Sequence, residues 1–407
     1  MKQLRIALVS HAYPYLAGNH AGQFVHELAS ALVELGHRVY AVIPEPPEAS
    51  HIREMDGVQL EFYSVRDKVS YGRSNDSYTR VPRPAVAFSL IQASLKLHQV
   101  VHQRGIDIIH AHWTVPMGFV AGLIKAITGC PLVITTHGRD VYVNPQAGAM
   151  VAQLWYAKPF LRFALRHADR IIAVSHDCAR HAVNAGAPQE RVTVIYNGVS
   201  LQRFAPSDID TARIRKQHGL DEANKVILTV GSLRSYKGID ILLKSMPGVL
   251  EAIPSAAMLV IGDGTEREAL LALRDSLGLQ EHVIFAGHIP NVDLAPYENM
   301  CDVFVMPSRR ESFGIAAIEA MACAKPVIGA RVGGLQEIID NSQTGLLVEP
   351  DNIEQLRAAI IQVLQQEEWA KRLGQNAHLK VKSAFSWSGV ARKTEALYKG
   401  LLPADET

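Results

Sequence analysis

The sequence predicts an α/β protein of two doubly wound, Rossmann-like domains with parallel sheets. Three observations carry that prediction. Short β-branched runs alternate with helix-period segments almost from end to end. The runs are apolar without interruption, as strands buried on both faces of a parallel sheet are. The rhythm halts once, over "VSLQRFAPSDIDTARIRKQHGLDEAN" (199–224), and then restarts. Boundaries are therefore expected at 1–200 and 201–385. At 407 residues, 48% hydrophobic and 20% charged, the chain is long enough for sizeable cores in both halves.

The elements follow in order. "LRIALVS" (4–10) reads as a strand, "GQFVHELASALVELGH" (22–37) as a helix and "RVYAVIP" (38–44) as a second strand. "DIIHAH" (107–112), "LVITTH" (132–137), "RIIAVS" (170–175) and "VTVIYN" (192–197) continue the first sheet. The second sheet is expected from "VILTVGS" (226–232), "AMLVIGDG" (257–264), "VIFAGH" (283–288), "VFVMPS" (303–308), "PVIGA" (326–330) and "GLLVEP" (345–350). Ligands of doubly wound sheets sit beyond the carboxyl ends of the strands. Two such sheets facing each other would enclose a central cleft. The segment 64–84, with Lys68, Arg73, Arg80, Arg83, Tyr71 and Tyr78, fits neither period and reads as a loop, solvated or touching acceptor or membrane.

Composition excludes several classes. No apolar run of about 18 residues is present, so no spanning helix is expected. The opening apolar stretch reads as a strand, and no signal peptide is expected from it. Cys130, Cys178, Cys301 and Cys323 are scattered and form no CxxC, so they are expected as free buried thiols in a reducing cytosol. Net charge is +1. Residues 1–200 hold 19 Lys/Arg against 14 Asp/Glu (+5), and the remainder 22 against 26 (−4). This balance speaks against a nucleic-acid binder. The basic first half suits an acidic acceptor or peripheral contact with an anionic membrane, and equally suits ordinary surface variation.

The chemistry concentrates after strands. In "VFVMPSRRESFGIAAIEAMACAKPVIG", Ser312, Phe313 and Gly314 are expected to open a helix. Its first N–H groups carry the positive dipole end and suit a phosphate, which Gly314 would let approach. Glu311, just before, can accept from sugar hydroxyls. Glu319 lies eight residues on, about 80° around the helix, and could accept both hydroxyls of a ribose. In "VGSLRSYKGID", Arg234 and Lys237 on a glycine-bounded loop suit a diphosphate, although such turns are common. The glycines of "VIGDGTE" and "FAGHI" could let backbone approach a base, or only turn the chain. Gly18 and Gly22 follow the first strand, but without a GxGxxG or an acidic end to strand two, which argues against nicotinamide binding. His137 ends a strand in "ITTHGRDVY", a candidate hydrogen-bonding or acid–base group. His110 and His112 have a zinc-like spacing but no third ligand, so no metal is expected.

These motifs, in this order, resemble family 4 of the retaining glycosyltransferases (GT4), with the GT-B fold, over essentially the whole chain. The most specific block is the E-x7-E motif, Glu311 to Glu319. "VIYNGVSLQRF", "VGSLRSYKGIDILL", "VIGDGTE", "VGGLQEIIDNSQTGLLVEP" and "TTHGRD" look like further family blocks. The resemblance implies a first domain that binds acceptor and a second that binds a sugar nucleotide. Residues 386–407 would form a helix returning to the first domain. Glu319 would bind ribose, and Glu311 the donor sugar. Phe313, Gly314 and Ile315 would offer N–H groups to phosphate. Lys237 would stabilise the leaving diphosphate. His137 would contact the sugar near the reacting carbon. Gly18 and Gly22 would stand in the first glycine-rich loop, and backbone near Ile289 would touch the base. The family often has Arg directly after the glycine that opens the lysine loop. Ser232 stands there, so Arg234 is expected to take its place.

The reaction implied moves a sugar from a nucleoside diphosphate, UDP or GDP foremost, to a hydroxyl with retention and without metal or other cofactor. The acceptor would be a glycan or a lipid-linked glycan of the cell envelope. The location would be cytoplasmic, at the inner face of the membrane if peripheral. A sugar-nucleotide epimerase or hydrolase on the same fold, or a silent sugar-nucleotide-binding subunit, are the alternatives.

Overall fold

A computed structural model describes residues 3–14, 22–46, 51–65, 83–142 and 158–403. The chain forms two compact units. One comprises residues 1–198 with 387–407, the other 199–386.

The first unit's sheet contains β1 (Arg5–Val9), β2 (Arg38–Pro44), β3 (Glu54–Met55), β4 (Val58–Tyr63), β5 (Ile108–His112), β6 (Leu132–Thr136), β7 (Arg170–Ala173) and β8 (Val192–Val194). The order is β3-β4-β2-β1-β5-β6-β7-β8, and every pairing is parallel except β3 with β4. Central strands are buried on both faces. Ile6, Ala7, Leu8 and Val9 are fully covered, as are Ile108, Ile109 and Ala111. That double burial is why these strands were legible as unbroken apolar runs. The β3–β4 hairpin is an addition to the expected set. Its longer strand, "VQLEFY", sets Gln59 and Glu61 between apolar residues and leaves Phe62 partly exposed, so it lacks the unbroken apolar run of the central strands.

The second unit's sheet contains β9 (Lys225–Val230), β10 (Ala256–Ile261), β11 (Val283–Gly287), β12 (Val303–Met306), β13 (Val327–Ala330) and β14 (Gly345–Val348). Its order, β11-β10-β9-β12-β13-β14, is parallel throughout and reverses direction between β9 and β12. That reversal is the switch point at which doubly wound sheets take ligands.

The helix Trp387–Lys399 belongs to the first unit and packs on the helix Gln23–Glu34. Trp387, Val390, Ala391 and Tyr398 enter the core formed with Leu28, Leu32 and Ile108. Trp387 Nε1 donates to Glu27 Oε2 at 2.5 Å. All four cysteines are buried free thiols. No helix among the described residues is long and apolar enough to cross a membrane.

Candidate active site

In the second unit the loops after β9 and β12 converge. After β9 the chain passes Arg234 into the turn Ser235–Lys237 and leaves it through Gly238 at φ 69°. A Cβ on Gly238 would stand 2.1 Å from the Pro307 carbonyl, so only glycine lets this turn rest against the exit of β12. Arg309 clamps the two loops together. Its backbone N–H donates to the Tyr236 carbonyl, and its guanidinium bonds the Ser235 carbonyl and pairs with Asp240 (2.8 Å) and Asp351 (2.6 Å).

The result carries Lys237 to Glu311, 74 residues away in sequence. Lys237 Nζ lies 2.5 Å from Glu311 Oε2, with both side chains largely covered. The two residues expected to meet different parts of one ligand are here each other's partner. Arg234 adds a second guanidinium three residues before the lysine.

The helix carrying Glu319 spans Ile315–Ala322, so it starts after Ser312 and Phe313 rather than with them. Gly314 sits at φ 111°, which ends any right-handed continuation toward Phe313. A Cβ there would also lie 2.8 Å from Leu335 Cδ2. The helix's first-turn N–H groups still have no partner inside it. Of the expected phosphate donors, Ile315 therefore lies in the helix, Gly314 caps it and Phe313 precedes it.

Glu319 is 6% exposed. Its Oε1 accepts from Asn291 Nδ2 at 2.8 Å, and Asn291 Oδ1 accepts from Arg203 at 2.5 Å. This brings the loop after β11, with half-buried Ile289, to the Glu319 helix. The neighbouring helix Ala295–Met300 packs on the same helix and carries Glu298, fully buried. Burial first, then the charge of Glu319, pushes the Glu298 carboxyl well above the usual range. Sequence reasoning missed Asn291, Arg203, Arg309 and Glu298. Asn291, Arg203 and Arg309 find their partners on distant segments, and Glu298 carries a buried carboxyl that no described residue hydrogen-bonds.

The glycines of "VIGDGTE" serve a close approach of backbone to backbone. A Cβ on Gly262 would meet the Gly231 carbonyl at 1.9 Å, and one on Gly264 the Leu233 carbonyl at 2.3 Å. They let the loops after β9 and β10 lie backbone on backbone.

In the first unit, His137 follows β6 and is part exposed. Its backbone N–H donates to Asp140 Oδ1 at 3.0 Å. Asp140 Oδ2 accepts from the N–H and hydroxyl of Thr114, beyond the end of β5. One fully buried carboxyl thus ties together two strand exits. Burial lifts its pKa, against the pull of these bonds. The His137 ring packs on Phe24 (4.6 Å) and Trp113 (4.9 Å), and its Nε2 meets His112 Nδ1 at 3.1 Å. His110 bonds Tyr398 and Thr135 rather than joining His112 as a ligand pair. Burial pushes His11, His110 and His137 down to about 3, so this aromatic cluster is neutral at neutral pH. Among the described residues no group of three or more His, Cys, Asp or Glu side chains is arranged to hold a metal.

Gly22, at φ 80°, caps the helix Gln23–Glu34, and a Cβ there would stand 2.1 Å from the Ala12 carbonyl. Gly18 lies outside the described residues, as does most of the 64–84 segment.

Comparison with known proteins adds the following. The family model for glycosyl transferases group 1 matches residues 210–380, and that for glycosyltransferase family 4 matches residues 21–203. An N-acetyl-alpha-D-glucosaminyl L-malate synthase of Bacillus anthracis is 26% identical over 397 residues, 97% of each chain. A glycosyltransferase of Methanocaldococcus jannaschii is 30% identical over 307 residues, 74% of this chain and 78% of its own. Among solved structures, sucrose-phosphate synthase from Thermosynechococcus elongatus matches with TM-score 0.81 and 27% identity, over 98% of this chain and 99% of that one. Anabaena HepE in complex with UDP-glucose matches with TM-score 0.76 and 21% identity, over 98% and 100%. With both sheets doubly wound and both halves matched by family models, the chain belongs to family 4 of the glycosyltransferases and is a glycosyltransferase of the GT-B fold.

Proposed function

We propose that the second unit binds a nucleoside diphosphate sugar, UDP- or GDP-linked, and that the sugar passes to a hydroxyl with retention of anomeric configuration. The observation that carries this is the convergence of Lys237 and Glu311 four residues before the helix that buries Glu319. The cation and the helix N-terminus match a diphosphate, and the two carboxylates match a sugar and a ribose. The relative solved with UDP-glucose supports the donor class.

Glu319 accepts from the ribose hydroxyls and Glu311 from the sugar. N–H groups of Phe313, Gly314 and Ile315 serve the phosphate. Backbone beside Ile289 meets the base. Lys237 and Arg234 stabilise the diphosphate as the bond from its oxygen to the anomeric carbon breaks. The acceptor oxygen bonds the same face of that carbon, and its proton passes to the departing phosphate oxygen. His137 contacts the donor sugar near the reacting carbon, and Gly22 belongs to the glycine-rich loop that follows β1. Positioning and preorganised positive charge supply the catalysis, and the scheme uses no metal.

A thermal-shift screen with UDP, GDP and ADP, then with their sugars, tests the donor. One nucleotide should raise the midpoint by ligand-linked stabilisation, and none doing so would refute the reading. Nuclear magnetic resonance of the product should show the donor's anomeric configuration in EDTA. Inversion, or rescue by Mg2+, would refute the mechanism.

The acceptor is read as an envelope glycan or lipid-linked glycan met at the inner face of the membrane. Helix Arg83–Arg104 exposes Ile91 and Leu95 one turn apart, and in sequence it follows Lys68, Arg73 and Arg80. Cosedimentation with anionic vesicles should drop in an Ile91→Asp, Leu95→Asp variant.

A further inference from the structure

The hydrogen-bonded chain Arg203–Asn291–Glu319, buried at its glutamate end, has a direction fixed by chemistry. A guanidinium can only donate, and the Glu319 oxygen accepts. Between them stands a primary amide, which has one end of each kind. Asn291 Oδ1 must therefore face Arg203, and Nδ2 must face Glu319, as the 2.5 and 2.8 Å contacts have it. Arg203 thus chooses the amide's orientation, and the amide holds one oxygen of Glu319.

Both ends of the chain are anchored. Phe204, 1% exposed, pins the turn that carries Arg203, and the guanidinium lies 5.8 Å from that ring. Asn299 holds the following residues, donating to the Ala205 carbonyl and accepting from the Ser207 N–H. Asn299 lies on the helix Ala295–Met300, which packs on the Glu319 helix. Asn291 itself begins the turn Asn291–Asp293 beyond β11. Three segments distant in sequence therefore meet at one carboxyl group. A carboxylate 6% exposed is costly without such bonding.

We propose that Asn291 and Arg203 are positioning residues that fix the Glu319 carboxyl for recognition of the donor's ribose hydroxyls. The inference rests on the reading of Glu319 as the ribose-binding group. It assigns to the turn at Ser200–Phe204, just past the start of the second unit, a part in discriminating ribose from its deoxy analogues.

The test measures the ratio of affinities for a nucleoside diphosphate (UDP or GDP, whichever stabilises the protein) and its 2′,3′-dideoxy analogue. Glu319→Ala should collapse the ratio. Asn291→Asp keeps the shape but sets carboxyl against carboxyl, and should lower the ratio about tenfold, as should Asn291→Leu. Arg203→Met frees the amide to turn and should lower it less. Arg203→Lys, which still donates, should restore it. Affinity for the dideoxy probe should stay constant throughout. The inference is overturned if Glu319→Ala collapses the ratio while Asn291→Asp and Arg203→Met leave it intact. It is likewise overturned if these variants weaken the dideoxy probe equally, which marks general disruption. If Glu319→Ala itself leaves the ratio intact, the ribose reading of that residue falls first.

Discussion

Glu311→Gln separates two demands on one ion pair. Lys237 Nζ and Glu311 Oε2 are 2.5 Å apart, with side chains 18% and 13% exposed. Charges centred about 4 Å apart at an effective dielectric of about 20 attract by about 4 kcal/mol. Solvent and entropy leave a net worth of about 1.5–3 kcal/mol, typical of a hydrogen bond between charged groups. A diphosphate arriving at Lys237 must share the ammonium with Glu311 and tolerate its negative charge. Glutamine keeps the shape and removes both burdens. If about 1.5 kcal/mol is recovered, the bare nucleoside diphosphate binds about tenfold more tightly. Turnover should move the other way. Losing a charged acceptor for the sugar, about 2 kcal/mol in the transition state, lowers kcat about 30-fold. Calorimetry with UDP or GDP and steady-state kinetics with the sugar nucleotide read the two effects. The reasoning is refuted if Glu311→Gln weakens nucleotide binding as Lys237→Met does, because the pair would then bind as a unit.

The imidazoles of His11, His110 and His137 are held at about 3 by burial, against about 6.5 unfolded. The unfolded chain therefore takes up protons first, and stability should fall from about pH 6.5 toward 3 by up to about 1.4 kcal/mol per pH unit for each, as read by urea unfolding at pH 7 and 5.5. Glu298 acts in the opposite sense. Its raised carboxyl favours the fold below about 4.5, and that advantage is lost as pH rises through its folded value, so Glu298→Met should gain more stability at pH 8 than at pH 5. Gly314→Ala combines a left-handed residue with a Cβ 2.8 Å from Leu335, and should cost about 2–4 kcal/mol in denaturant unfolding.

How far the sequence could be read follows from which interactions are local. The core strands were legible because burial on both faces leaves an unbroken apolar run, as in "RIALV" and "AAMLVI". The hairpin Glu54–Tyr63 was not, because Gln59 and Glu61 interrupt its apolar residues. The segment holding Glu311 and Glu319 could be located, but not the start of its helix. That start depends on Gly314 taking a left-handed conformation under Leu335. Nor could the pairing of Lys237 with Glu311 be read, since no local period joins residues 74 apart. The Asn291 and Arg203 contacts are of the same kind. Position after a strand did point to His137. Its neutral state comes from the packing of Phe24, Trp113 and His112, which only the fold assembles.

The return of residues 387–399 to the first unit sets an order of events during synthesis. The ribosome makes the first unit's strands early, but Trp387, Val390 and Tyr398, which fill its core, emerge only after the 188 residues of the second unit. At ordinary elongation rates that interval is roughly 10–40 s. Through it the surface of the Gln23–Glu34 helix that will receive Trp387 stays exposed, and His110 waits for the Tyr398 hydroxyl. The nascent first unit is thus a natural client for chaperones, while the second unit, contiguous in sequence, can close as soon as it leaves the exit tunnel.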